Sequence, residues 1–151
     1  MNRSTAREIA VHFAFELAFS DETAQQLLDR ELRAETFVQR ARDEPLYAEF
    51  PDEDQRGYIG RLVLGVGNRG AELDGYIAKY ARGWKFSRID RVAAAIMRVT
   101  MFEVLYMPDI PNRVAVNEAV EIAKRYVDDE VVKFINGILG SFVRAEVPEC
   151  E

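Results

Sequence analysis

The chain has 151 residues and a net charge of −6, from 26 acidic and 20 basic side chains. Its hydrophobic content of 48% is typical of a globular protein, and its length suits one domain with its own core. The acidic balance excludes a protein that coats nucleic acid by bulk charge, but it allows a local basic patch. Cys150 is the only cysteine, which excludes an intrachain disulfide. With no long apolar run, we expect a cytoplasmic protein without a membrane segment.

Helical spacing of apolar residues organises the first third of the chain. A helix is predicted from about Ser4 or Thr5 to Phe19, and Thr5-Ala6-Arg7-Glu8 predicts a capping box at its start. A second helix is predicted over about 21–42, with Asp21 or Thr23 as its N-cap. Two apolar stripes on the first helix indicate that it is buried between neighbours.

The same spacing continues to the end of the chain, with no alternating pattern typical of a strand, so the predicted fold class is all-α. Ser87-Arg88-Ile89-Asp90 is close to a capping box, and Pro111 followed by Asn112 predicts an N-cap at Asn112. The further helices are predicted over about 54–81, 87–107, 112–126 and 131–143.

Two acidic clusters could be interpreted as metal or acid–base sites. They are Asp52-Glu53-Asp54 and Asp128-Asp129-Glu130, and each immediately precedes a predicted helix. Negative charge is favourable at the positive end of a helix dipole, so the clusters need no ligand to explain them. We therefore interpret both as helix-start charges.

The segment Gly65-Val66-Gly67-Asn68-Arg69-Gly70 matches the dinucleotide-binding pattern G-x-G-x-x-G. A real nucleotide site needs a strand before this segment and a βαβ unit around it. Here the helical spacing of apolar residues continues through the glycines. Because an interior glycine weakens a helix, close packing against another helix is the favoured explanation.

Asparagines and a histidine occupy helical positions that call for an explanation. Asn117 lies mid-helix and Asn136 lies in an apolar run, which predicts buried hydrogen bonds that join two helices. His12 precedes Glu16 by one turn, so a general base and its orienting carboxylate are geometrically conceivable. A packed histidine is the favoured interpretation, and one histidine with one cysteine excludes a His/Cys metal site. We expect no catalytic residue, no metal and no cofactor.

Several segments together resemble the NusB family of bacterial transcription antitermination factors. Their residue types recur at fixed spacing over most of the chain. The segments are Thr5 to Ala10 with Phe13-Ala14-Phe15, the block Trp84, Arg88, Ile96-Met97-Arg98 and Phe102 to Leu105, and then Ile110-Pro111, Val116 to Lys124 and Lys133-Phe134-Ile135-Asn136-Gly137-Ile138-Leu139.

The resemblance implies a NusB-like all-α domain of two packed helical subdomains, about 1–80 and about 81–147, followed by a tail at 148–151. It also implies a non-enzymatic activity, in which the protein binds the boxA element of the nascent rRNA leader together with the ribosomal protein NusE. This antitermination complex helps RNA polymerase pass terminators. The implied RNA-binding residues are Arg3, Arg7, Phe15, Glu130, Lys133 and Phe134, and the implied NusE-binding residues are Arg98, Glu103 and Glu118.

Two departures from the family pattern bear on the RNA affinity. The opening of the chain has only Arg3 and Arg7 where a longer basic run is usual, and Ala93-Ala94 replaces an acidic–basic pair. Each phosphate contact that is lost lowers affinity and flattens its salt dependence. The alternative function is therefore a NusB-fold protein–protein interaction domain with weak or no RNA binding. An RNA-methyltransferase module of the same fold is disfavoured, because it would need a further catalytic domain. A homodimer through the apolar first helix is also compatible with the sequence.

Overall fold

The computed structural model describes residues 1–85 and 88–148. Within these ranges the chain forms eight α-helices and one short 3-10 helix, with no strand, which confirms the all-α fold class. Ser87 of the predicted capping box and Cys150 of the predicted tail lie outside the described residues. None of the described helices is both long and apolar enough to span a bilayer.

The chain divides into two compact units, Met1–Asn68 and Arg69–Glu151, whereas the resemblance implied a boundary near residue 80. In the first unit, α1 packs on α4, and α2 packs on both. The 3-10 helix contacts α1 and α3. Its core includes Ile9, Phe13, Leu27 and Leu62, all fully buried. The elements of this unit are α1 (Arg3–Ala18), α2 (Ala24–Glu31), α3 (Ala34–Arg40), the 3-10 helix (Pro45–Tyr47) and α4 (Glu53–Asn68).

In the second unit, α6 is the central helix, and α5, α7 and α8 all pack against it. Its apolar side chains, among them Ile96, Met97 and Val99, are fully buried, as is Phe142 of α8. A helix buried on nearly every side needs apolar residues all round, which α6 has. The elements are α5 (Gly70–Tyr80), α6 (Arg91–Tyr106), α7 (Asn112–Tyr126) and α8 (Asp129–Glu146).

Several predicted helix starts are confirmed. Thr23 and Gln26 form a capping box at α2. By contrast, α6 begins at Arg91 and not near residue 87 as predicted, because Asp90 is its cap and accepts a hydrogen bond from the Ala93 amide. Asp52 and Asp128 likewise accept from amides of the first turns of α4 and α8, at 2.8 and 3.0 Å. The two acidic clusters are therefore helix caps, as predicted.

The predicted capping box at Thr5 is wrong. The side-chain oxygen of Asn2 accepts a hydrogen bond from the Thr5 amide at 2.8 Å, so α1 begins at Arg3. The predicted N-cap at Asn112 is also wrong, because Asn112 is the first residue of α7 and Pro111 is the cap. The Asn112 amide instead donates to the carbonyl of Val147, 3.0 Å away, just after α8.

The helix predicted over 21–42 is interrupted between α2 and α3. Leu32 has φ −85° and ψ 63°, which is outside helical geometry. Nearby side chains satisfy carbonyls at the break: the Arg33 guanidinium donates to Asp29 O at 2.7 Å, and the Thr36 hydroxyl donates to Arg30 O at 3.1 Å. Such side-chain bonds offer the backbone an alternative to a continuous helix.

The helix predicted over 54–81 is also interrupted, at Arg69, which has φ −121° and ψ 23°. A break of one residue hardly disturbs the apolar spacing, so the pattern did not reveal it. The packing explanation for the glycines is supported at Gly67, where an added Cβ would lie 2.8 Å from the Cβ of Ala24. At that distance α4 could not keep its present approach to α2.

The predicted buried hydrogen bonds of Asn117 and Asn136 are wrong. Both side chains are exposed, and neither makes a hydrogen bond with a residue of the described ranges. The amide that does join the two helices is Asn112, through Val147. Because both side chains are exposed, the packing of the core does not explain why asparagine occurs at these two positions.

Candidate nucleic-acid interface

The two arginines at the start of α1 have different environments. Arg3 is exposed, and its guanidinium carbon lies 4.2 Å from the centre of the Tyr58 ring. Arg7 is only 2% exposed and lies 5.8 Å from the same ring. A cation stacked on an aromatic face is held in place without losing its charge. Arg3 can therefore meet an anion from solution, whereas Arg7 lies beneath the surface.

Phe15 lies further along α1 and is partly exposed. Its ring centre is 5.0 Å from that of Phe19, which is 55% exposed in spite of its size. The two rings form an aromatic patch at the C-terminal end of α1. Accessible aromatic faces are suitable for stacking with unpaired bases and for apolar contact with a protein.

The start of α8 presents a second aromatic pair. The Phe134 ring is partly buried and meets the Trp84 ring edge-on, with their centres 5.5 Å apart and an angle of 65° between them. Trp84 is 58% exposed. Lys133 and Glu130, on the same helix, are exposed as well. Aromatic, cationic and acceptor groups therefore occur together at this helix start.

Beside the aromatic pair is a cleft of about 230 Å³. Asp128 holds its position there as the N-cap of α8, and Asp90 does the same for α6. The sequence did not lead us to assign Trp84 or Arg88 to a binding site. The feature that could have indicated one is the single tryptophan directly after Gly83. The φ of 79° at Gly83 marks a turn. The cleft is lined by Trp84, Arg88, Ile89, Asp90, Asp128, Glu130, Val131 and Phe134.

The three residues implied as NusE contacts are mostly internal. The Arg98 guanidinium is largely buried and pairs with Asp74 of α5, with Nε 2.6 Å from Oδ1. Glu103 is 0% exposed, and Glu118 is partly exposed. Of the three, Glu118 presents the most surface to a partner, while Arg98 holds α6 to α5.

His12 and Glu16 do not form a base-and-orienter pair. The Nδ1 atom of His12 is 3.0 Å from the Tyr47 hydroxyl and 3.6 Å from a Glu44 carboxylate oxygen. Glu16 instead accepts a hydrogen bond from Arg40. Burial lowers the pKa of His12 below its ordinary value of 6.5, although Glu44 opposes that shift. The histidine is a packed one, as favoured from the sequence.

Among residues 1–85 and 88–148, no group of three or more His, Cys, Asp or Glu side chains is arranged to hold a metal ion. The nucleotide-type glycine segment lies across the junction of α4 and α5, with no strand before it in the described part of the chain. Exposed cations and aromatic rings do occur on α1 and at the start of α8.

Known proteins are similar to this chain in both sequence and fold. The sequence model of the NusB family matches residues 4–144. The transcription antitermination protein NusB of Acetivibrio thermocellus is 36% identical over 147 residues, which cover 97% of this chain and 92% of that protein. The NusB protein of Clostridium novyi is 32% identical over 149 residues, which cover 96% and 100%.

The solved structure of T. maritima NusB superimposes with a TM-score of 0.79 at 27% identity, covering 98% of this chain and 94% of that one. A chain in the solved structure "Crystal Structure of a Plectonemic RNA Supercoil" gives a TM-score of 0.77 at 21% identity, which shows a shared fold. The match of the family model over nearly the whole sequence agrees with both relatives. The chain belongs to the NusB family of transcription antitermination factors.

Proposed function

We propose that this protein binds the boxA element of the nascent rRNA leader together with the ribosomal protein NusE, in the cytoplasm, and so helps RNA polymerase pass terminators. The observation that carries the proposal is the Trp84–Phe134 ring pair at the start of α8, with exposed Glu130 in the same cleft and exposed Lys133 one residue before Phe134 in the chain. Single-stranded RNA is commonly bound by cations on its phosphates and aromatic rings on its bases. The family match supports the same role.

Each RNA-binding residue then has a definite task. Arg3 and Lys133 contact phosphates, and Phe134 stacks with an unpaired base beside Trp84. Glu130 accepts a hydrogen bond from a base N–H group, while Phe15 offers a further aromatic face. Arg7, being buried, acts through its position under Arg3 at the Tyr58 ring.

For the NusE contact, we propose that Glu118 touches the ribosomal protein directly. Arg98 and Glu103 are internal residues that keep α6 in place, so they act by positioning the surface. Because Arg98 itself is largely buried and pairs with Asp74, substitutions at Arg98 would affect folding as well as binding. Glu118 is therefore the residue to vary in a NusE binding assay.

The test is a titration of fluorescently labelled boxA RNA, with and without NusE. We expect Arg3→Ala and Lys133→Ala each to weaken binding roughly three- to tenfold at low salt, since each removes one phosphate contact. We expect Phe134→Leu to weaken binding at all salt concentrations, because stacking is not an ionic interaction. Arg42→Ala is the matched control for Arg3→Ala, since Arg42 is exposed in the same unit.

Equal losses in Arg3→Ala and Arg42→Ala would mean that bulk charge, and not this interface, attracts the RNA. No binding in the presence of NusE would contradict the proposal and favour the alternative function, an interaction domain that has lost RNA affinity. The observation that favours this alternative is the burial of Arg7. Of the two arginines at the start of α1, Arg3 is exposed and Arg7 is not.

A further inference from the structure

A groove runs between α7 and α8 and contains two depressions, of about 630 and 440 Å³, which both include Asn117. The α7 side of the groove is formed by Arg113, Asn117, Val120 and Lys124. Their spacing of i, i+4, i+7 and i+11 places them along one face of the helix. The groove therefore follows the length of α7.

The α8 side is formed by Lys133, Asn136, Gly140 and Arg144. The two helices are antiparallel, because the Asn112 amide at the start of α7 donates to the Val147 carbonyl after the end of α8. The larger depression is consequently lined by Arg113 and Arg144, and the smaller one by Lys124 and Lys133. Each end of the groove carries two cations, one from each helix.

Two of these four cations have no polar partner in the described fold, and the other two have one each. Arg113 and Lys133 make no hydrogen bond or ion pair with residues 1–85 or 88–148. Arg144 makes one long hydrogen bond, 3.4 Å, to the Ser141 hydroxyl, and Lys124 pairs with Glu121 at 3.0 Å. In a protein with a net charge of −6, a groove with four cations and one acidic side chain is an unusual concentration of positive charge.

The floor of the groove is aliphatic. Val116, Val143 and Pro148 line the larger depression, and Val120 and Val132 line the smaller one. None of the described lining residues is aromatic, so the groove has no ring on which a base could stack. An aliphatic floor between arginines instead matches a protein segment that presents apolar side chains flanked by carboxylates.

Gly137 lies in α8 between Asn136 and Gly140, which line the two depressions, but it lines neither itself. It lies in the interior of α8, where glycine weakens a helix, yet an added Cβ would meet nothing within 4 Å. The fold itself therefore does not require glycine there. At Gly140, one turn further on, an added Cβ would lie 3.2 Å from the Arg144 guanidinium, which rests over this position.

We propose that the α7–α8 groove binds an acidic amphipathic helix of a partner protein. The cation pairs are 11 residues apart along each helix, or about 16 Å, which is three turns of a helix lying in the groove. Carboxylates near both ends of that helix meet Arg113 with Arg144 and Lys124 with Lys133. Its apolar stripe covers the valines. This surface differs from the proposed RNA contacts except at Lys133.

The test uses a fluorescein-labelled helical peptide of about 16 residues, long enough to hold a helix when stapled, with two glutamates near each end and leucines between them. We expect it to bind the full chain, and to bind at least about tenfold more weakly to Arg113→Glu/Arg144→Glu, because charge complementarity is reversed. In NMR spectra of the wild-type protein, the peptide should shift the amide signals of Asn117 and Gly140.

Two controls make the result decisive. Arg42→Glu/Arg82→Glu reverses two exposed arginines elsewhere, so its net charge changes equally, and it should bind the peptide like the wild type. Asn117→Phe should keep the fold, because Asn117 is exposed, and should weaken peptide binding by filling the groove, since Asn117 lines both depressions.

The proposal is overturned if the peptide does not bind, if a lysine-for-glutamate peptide binds equally well, or if both charge-reversed variants lose affinity equally. It is also overturned if single-stranded RNA, and not the peptide, shifts the Asn117 and Gly140 signals. If the Arg3→Ala variant loses boxA binding but still binds the peptide, the groove binds its partner independently of the RNA interface.

Discussion

Arg40 joins three elements of the first unit through its guanidinium group. One Nη atom pairs with the carboxylates of Glu16 and Glu31, and the other donates to the Tyr47 hydroxyl at 2.9 Å. Glu31 is 1% exposed, and its Oε2 lies 2.6 Å from Arg40 without the alignment of a hydrogen bond. Because buried carboxylates are costly without a cation, Arg40 makes the burial of Glu31 tolerable and ties α3 to α1 and α2.

The partly buried His12 makes stability depend on pH. Burial lowers its pKa below 6.5, so the folded state binds a proton less readily than the unfolded chain. Its contribution to stability is present above pH 6.5 and is lost as the pH falls through the folded-state pKa. We expect the free energy of unfolding to fall between pH 7 and pH 5, and to fall less in His12→Gln. Urea unfolding at several pH values measures both.

Glu31 provides a comparison of opposite sign. Burial, followed by the nearby Glu16, raises the pKa of Glu31, so its contribution favours the folded state at low pH and is lost as the pH rises through its folded-state pKa. Glu31→Gln should therefore alter the stability profile at the acidic end and leave the His12 step in place. If His12→Gln unfolds with the same pH dependence as the wild type, the burial of His12 does not control this step.

At the scale of helices, the sequence was informative where one side chain acts on its own neighbours. Thr23 and Asp128 cap the helices that follow them, because a cap depends on residues within one turn. The one-residue break at Arg69 left the apolar spacing intact and so was not predictable. The burial of Arg7 and Glu103 was likewise hidden, since it depends on helices far away in sequence.

Glycine-to-alanine substitutions should have opposite effects on two helices. Gly67→Ala should destabilise the protein by about 1–3 kcal/mol, because the new Cβ would lie 2.8 Å from the Cβ of Ala24 and force α4 away from α2. Gly137→Ala should stabilise it by roughly 0.5–1 kcal/mol, since its Cβ meets nothing and alanine is the better helix former. Thermal and urea unfolding, followed by circular dichroism, measure both changes.

Gly140→Ala serves as the intermediate case. Its Cβ would lie 3.2 Å from the end of the flexible Arg144 side chain, which can move aside, so we expect a smaller gain than at Gly137. A stabilising Gly67→Ala would show that α2 and α4 are not as closely packed as described. A destabilising Gly137→Ala would show that glycine is needed there by the isolated chain itself.

For the whole molecule, the net charge of −6 limits how RNA can be attracted. With Arg3 and Lys133 as the two phosphate contacts, the slope of log K against log[salt] should be about −1.4, from −0.7 for each contact to a single strand. Fluorescence anisotropy of boxA RNA across a salt series measures this slope for the protein alone.

Addition of NusE should make the slope steeper if NusE adds phosphate contacts of its own. In the Lys133→Ala variant alone, the slope should fall to about −0.7. A slope several times steeper than the expected one for the protein without NusE would mean that many more cations meet the RNA than the proposed interface contains.

Trp84 gives the second unit an optical property that needs no added dye. It is the only tryptophan in the chain, so all indole fluorescence comes from the edge of the cleft it shares with Phe134. Being 58% exposed, it should emit at the long wavelengths of a hydrated indole. Any molecule that covers this ring would shift or quench the emission, so occupancy of the cleft can be followed in real time on the unmodified protein.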